Sequence, residues 1–286
     1  MLVDQFDKVG EKLTTEIITK DTINKYLNNS YKIFSSRNLT RTANTLKEII
    51  VELNNKPDYA NINRKFKILQ LSMINEYQGT DSHKTQCATF LKKIWTKAVT
   101  QNHLEVKKIV NNKTIITNRQ NRTKARYTLG KLVYIIQRGA KTNEDNLIGL
   151  SVLYMYVIDG IYGKDLRDYC MWYKLAEKEK IEATQLLRMK IHELVEYFKL
   201  KGVNFLIDGW DDDIRNAIAH SSFYYDKSKD KMIYEERRRS VIRELSLIEL
   251  QKMYQKLDHV DELLMHMEQV MNVNDCIDYF KRNSIP

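Results

Sequence analysis

The chain has 286 residues, of which 43% are hydrophobic and 29% charged, with only 2 Pro and 9 Gly. That composition excludes a disordered chain, which lacks the apolar residues to bury a core, and argues against a sheet-rich fold, which needs more turn residues. A formal net charge of +10 disposes the protein towards polyanionic partners, although surface lysine also serves solubility alone.

Cys87, Cys170 and Cys276 lie far apart without CxxC or Cys/His spacing. Neither a disulfide framework nor a zinc site is indicated, and a reducing cytoplasm is the expected compartment. The start, M-L-V-D-Q-F-D-K, lacks the cationic and apolar regions of a signal peptide. The longest uncharged apolar run, Leu147 to Ile158, is well short of the roughly 20 residues needed to cross a bilayer. It reads as a core helix, and no membrane span is expected.

From Met1 to about Lys113 the pattern predicts medium-length helices. Thr40 is placed to cap a helix with Ala43, Leu46, Ile50 and Leu53 on one stripe, ended before Pro57. Asn61 to Tyr77 gives another helix, and Gly79 to Ser82 breaks it before a third through Phe90, Ile94, Trp95 and Val99. Basic residues are frequent here, among them Arg37, Arg41, Lys47, Arg64, Lys65 and Lys67. A solvated, charge-rich face is the simpler account of them beside an RNA-contacting one. His83 and His103 stand without ligand spacing and receive no role.

Asn111 to Lys124 is poor in core residues and is the expected junction between a basic helical N-terminal domain, 1–117, and a C-terminal domain, 118–286. Arg119, Arg122, Lys124 and Arg126 add positive charge beside it. Beyond it, Arg126 to Arg138 predicts a helix stopped by Gly139, and Thr142 with Asp145 a capping box for the apolar helix, which should end near Gly160 to Gly163. Asp165 to Lys178 and Glu182 to Leu200 are the next helices. His192 and Glu196, four apart on the latter, are met by a surface hydrogen bond in the absence of a third ligand.

Trp210 to Asp226, W-D-D-D-I-R-N-A-I-A-H-S-S-F-Y-Y-D, concentrates an Arg, an Asn, a His and several aromatics. Asp211, Asp212 and Asp213 offer acceptors to the free amides of a helix starting near Ile214, which explains them without a bound cation. Asn216 and His220 are four apart and share a face, whereas Arg215 lies about 140° round the axis from His220 by the 3.6-residue period. A fixed cation on one lip and an imidazole on the other suit a phosphodiester. A surface ion pair or capping interaction is the structural alternative.

The stretch from Arg215 to His220 resembles the RxxxxH motif of the HEPN superfamily, helical-bundle proteins that include many metal-independent endoribonucleases. Arg215, Asn216 and His220 match it residue by residue, and the likeness extends loosely over the region from about Asn118. It implies an all-α fold with a HEPN-like C-terminal bundle, RNA as substrate, no cofactor or metal, and a homodimer in which two motif helices share one cleft. It also implies a place in a defence or toxin system, with an antitoxin or regulatory partner. One subgroup carries a Tyr two residues after the His; here that position is Ser222. Catalytically silent members of the superfamily make an RNA- or protein-binding module the alternative reading.

After the motif, Phe223 to Asp226 and Lys231 to Glu235 flank K-S-K-D and predict a small β-hairpin. Lys227, Lys229, Lys231, Arg237, Arg238 and Arg239 are the expected electrostatic footprint for RNA, with Tyr224 and Tyr225 as stacking platforms. Ser246 with Glu249 forms a capping box opening a long helix through Leu250, Tyr254, Leu257, Leu264 and Met267. The tail from Asn272 predicts one more short helix or a frayed end.

Overall fold

The computed structural model describes residues 19–110, 112–236 and 240–283. It is 78% helical with one small antiparallel sheet, in agreement with the all-α expectation. Two compact units emerge, Met1–Lys92 with Glu262–Pro286, and Lys93–Asp261.

In the first unit, α1 (Lys20–Ser36), α2 (Thr40–Asn54) and α3 (Tyr59–Gln78) are amphipathic. Leu27, Leu46, Ile49, Ile62, Leu69 and Met73 are wholly buried, each such side chain contributing roughly 1.5–3 kcal/mol. Thr40 does not cap α2. The Glu76 carboxylate reaches over from α3 and accepts from Arg41 N at 2.6 Å and Thr42 N at 2.8 Å, satisfying two amides that the helix leaves unpaired. α4 (Ser82–Gln101) follows, and the unit boundary falls inside it.

The second unit continues with α5 (His103–Val110) and α6 (Lys113–Gly139). The expected junction at 111–124 lies within this unit, and from Lys113 onward it is one unbroken helix of 27 residues, capped by the Asn112 side chain on Thr114 N at 2.9 Å. The segment reads as a linker because Ile115 and Ile116 are its only apolar residues. It nonetheless contributes two side chains to the core, Ile115 and Arg122, both 0% exposed, the arginine paired with carboxylates.

α7 (Asn143–Val157) opens with the expected Thr142/Asp145 capping box. Gly160 and Gly163 do not end it. The chain passes through a single π-turn, Ile158–Tyr162, straight into α8 (Gly163–Ala176). This apolar stretch, Asn143–Ala176, is by length and composition long and apolar enough to cross a bilayer, but more than half of its most apolar part is buried within the protein, as in a core helix. The helix expected over 182–200 is two, α9 (Ala183–Arg188) and α10 (Ile191–Leu200), because Arg167 takes the Met189 carbonyl and Glu193 caps Lys190 N.

A short α11 (Asp212–Ala219) leads into β1 (Phe223–Asp226), β2 (Lys231–Glu236) and β3 (Val241–Leu245), an antiparallel sheet in that order. The expected hairpin is present, with Phe223 opposite Tyr234 and Asp226 opposite Lys231. The third strand was not expected. α12 (Leu247–Asn283) begins at the Ser246/Glu249 box and runs through the tail as one helix.

Candidate functional site

Tyr154 of α7 positions the motif helix. Its buried hydroxyl donates to Gly209 O at 2.9 Å and accepts from Asp211 N at 2.9 Å, clamping the two residues that precede α11. Gly209 cannot be larger, because a Cβ there would lie 2.9 Å from Met253 O on α12. Asp211 then caps α11 as expected, accepting from Asp213 N at 2.9 Å and Ile214 N at 3.1 Å. Its second oxygen and that of Asp213 hold Arg243 of β3 at 3.3 and 2.9 Å, so this acidic cluster is engaged by a cation of the chain itself.

The far end of α11 closes on the motif histidine. His220 is the C-cap, Ser221 adopts a left-handed φ of 54°, and Ser222 N reaches back to Ala217 O at 2.8 Å. That is the pattern by which helices terminate with an αL residue, here without glycine. Ser222 Oγ also donates to Glu235 O at 2.7 Å, stitching the helix end to β2. His220 is exposed, and no side-chain hydrogen bond engages its ring among the described residues.

Arg215 is held on two sides. Its Nε and Nη2 each donate to a carboxylate oxygen of Asp159 at 3.1 Å, and its Nη1 donates to Asn216 Oδ1 at 3.0 Å. Asn216 therefore orients the guanidinium in this structure and not the imidazole. A guanidinium has five N–H groups; three are engaged, which leaves one on each Nη. The arginine side chain is 33% exposed. Asp159 sits in the π-turn, a geometry frequent at functional sites. Sequence reasoning missed it, though its signal was legible as the first charge after the uncharged run from Leu147.

Beneath the π-turn is a buried ionic network. Arg122 Nη1 lies 3.0 Å from Asp165 and 2.8 Å from Asp168, both on α8. Arg126 grips Asp261, with its Nε at 2.7 Å, and Arg119 lies 3.7 Å from Asp168. Burial, with the nearby Asp261 charge, pushes the Asp165 carboxyl well above the usual range, against the pull of Arg122 and Arg126. Burial also depresses the Lys164 amine, which donates to Gly160 O in the π-turn.

The other expected RNA contacts divide. Lys227 is exposed, and Lys229 is paired with Glu244 at 2.6 Å. Lys231 is half-buried, Tyr224 is 52% exposed, and Tyr225 donates to Asp230 at 2.5 Å. Arg237, Arg238 and Arg239 lie outside the described residues. His192 is exposed, and Glu196 pairs with Lys199, not with it. A cavity of about 480 Å³ lined by residues of α8, α9 and α10 includes no motif residue in its wall. No cluster of His, Cys, Asp and Glu among the described residues could hold a metal ion. The chain matches no protein-family model, no curated protein and no solved structure.

Proposed function

We propose that the protein is an endoribonuclease of the HEPN type, cleaving RNA by attack of a ribose 2′-hydroxyl on the adjacent phosphorus to leave a 2′,3′-cyclic phosphate. The observation that carries this reading is an exposed, uncommitted imidazole at the end of the helix that holds a guanidinium with two unspent N–H groups. His220 moves the proton, and Arg215 stabilises charge on the nonbridging oxygens through its planar fork. The scheme uses no metal.

One imidazole cannot be base and acid at once, so the reading includes a homodimer with two motif helices at one cleft. Ile148 and Val152, 40% and 37% exposed, support it. They share a face of α7 with position 159 by the helical period, and so offer an apolar strip beside the candidate site. A place in defence or toxicity, with a regulatory partner, rests on the motif resemblance alone.

The rival is a silent binding module, and the Asp159–Arg215 pair favours it, since a bidentate carboxylate is what a purely structural arginine would hold. Purified protein is incubated with single-stranded RNA in EDTA beside His220→Ala and Arg215→Ala. Cleavage to cyclic-phosphate ends, lost in both folded variants, supports the nuclease. Equal cleavage by all three overturns it, and binding without cleavage selects the module.

A further inference from the structure

α6 carries seven basic residues, Lys113, Arg119, Arg122, Lys124, Arg126, Lys131 and Arg138, and no acidic one. The fold sorts them. Arg119, Arg122 and Arg126 turn inward to Asp168, Asp165 and Asp261. Lys124, Lys131 and Arg138 recur every seven residues on the opposite face, exposed and without a carboxylate partner among the described residues. Tyr127 and Tyr134 fall between them on the same stripe. The Lys131 ammonium sits 4.2 Å above the Tyr127 ring, and the Arg138 guanidinium 5.2 Å above that of Tyr134, which is 58% exposed.

We infer that this outer face of α6, from Lys124 to Arg138, is a docking track for single-stranded RNA. The inference deepens the ribonuclease reading and takes its occupant from it. Cations alternating with accessible rings are what a flexible polyanion with open bases requires, phosphates meeting the cations and bases stacking on the tyrosines. Tyr127 is half-buried and Tyr134 exposed; each ring carries a cation of the stripe, with Arg138 also donating to the Tyr134 hydroxyl at 2.5 Å, and a cation–ring contact is one that a base can replace. A second copy fits this face badly, because two acid-free cationic stripes repel. A bilayer fits it badly too, since among its exposed residues only Ile135 is a large aliphatic and a membrane-surface helix needs a wide apolar face. The stripe spans about 21 Å at 1.5 Å per residue. The residue after Lys124 packs beside the π-turn that carries Asp159: Tyr156 donates to Ala125 O at 3.2 Å, and a Cβ on Gly160 would lie 3.5 Å from that of Ala125.

The test is fluorescence anisotropy of a labelled 12-mer oligouridylate with the full chain in the His220→Ala background, where no cleavage intervenes. Lys124→Ala/Lys131→Ala/Arg138→Ala should weaken binding at least ~10-fold at low salt. The magnitude of the log K against log salt slope should fall by about 2, at ~0.7 per lost phosphate contact. Tyr127→Leu/Tyr134→Leu should weaken binding about fivefold or more and leave the slope unchanged. Unchanged affinity and slope overturn the track. So does a triple variant whose only change is in sedimentation mass, or in pelleting with phosphatidylserine vesicles. Cleavage of the dinucleotide UpA, too short to use the track, separates the two readings. If the wild type does not cleave it while oligonucleotide binding still depends on these residues, the nuclease falls and the track stands; equal cleavage by wild type and triple variant with unaltered binding has the reverse meaning.

Discussion

Arg122→Met tests whether the ionic network holds the second unit together. The guanidinium is 0% exposed and faces carboxylates that are 0% and 2% exposed, so its loss leaves buried negative charge with Arg119 at 3.7 Å and Arg126 at 3.8 Å as the nearest cations. Removing one partner of such a buried set costs about 3–5 kcal/mol. For a unit of this size that is a fall in Tm of roughly 6–20 °C. The penalty depends on pH. The Asp165 carboxyl already titrates above its ordinary range, and loss of the adjacent cation raises it further. A raised folded pKa contributes stability at low pH that disappears as pH climbs through it, so the deficit is larger at pH 8 than at pH 5. Arg122→Met/Asp165→Asn, which removes one charge of each sign, recovers most of the loss. Thermal melts followed by circular dichroism at both pH values read all three effects. A single variant melting within a degree or so of the parent at pH 8, or a deficit independent of pH, refutes the reasoning.

Three further outcomes follow from the site. Asp159→Asn should cost less than about 1 kcal/mol, because the pair is partly exposed, yet lower RNA cleavage roughly tenfold or more by freeing Arg215 from its fixed orientation; faster cleavage would show that the carboxylate restrains the arginine instead. Tyr154→Phe removes both bonds to the turn before α11 and should cost about 1–3 kcal/mol, read as a lower Tm, with a parental melt contradicting its role as a clamp. Ser221→Gly relieves a left-handed residue and should stabilise by about 1 kcal/mol; a lower Tm would mean that the serine side chain supplies more than the strain removes.

Periodic apolar stripes and local caps were legible in the sequence, because both depend on near neighbours. The Thr142/Asp145 and Ser246/Glu249 boxes and the Asp211 cap form as the spacing predicts. What escaped reading depends on distant partners. Thr40 yields its capping role to Glu76, thirty-odd residues away, and the polar stretch at 113–124 is core because its arginines meet carboxylates on α8. β3 was hidden because its V-I-R-E-L is short and charged, and pairs with β2 through backbone bonds that composition does not announce. At the site, Arg215, Asn216 and His220 lie on or at the end of one helix as their spacing requires. Asp159, which decides how many N–H groups Arg215 has to offer, is fifty-six residues earlier.

The π-turn reconciles these two layers. Gly149, Tyr156 and Gly160 mark the face of α7 turned to α6, through Ile136 and Ala125. Continued at 3.6 residues per turn, that face would next present Lys164 and Arg167, setting cations against Arg119, Arg122 and Arg126. The observed residues are Asp165 and Asp168, each one position later, and a π-turn supplies one extra residue of this kind: Gly163 N bonds Ile158 O, five residues back. The insertion therefore turns attraction inward, and the bulge it makes carries Asp159 to Arg215. Deleting Gly160 should straighten the helix yet keep Asp165 and Asp168 towards α6, for a loss near the ~1 kcal/mol of an exposed ion pair. Inserting an alanine after Gly160 rotates both carboxylates a further ~100° away and should cost the ~3–5 kcal/mol of a broken buried network. Thermal melts rank the two, and an insertion variant more stable than the deletion would show that the π-turn has no part in aligning the network.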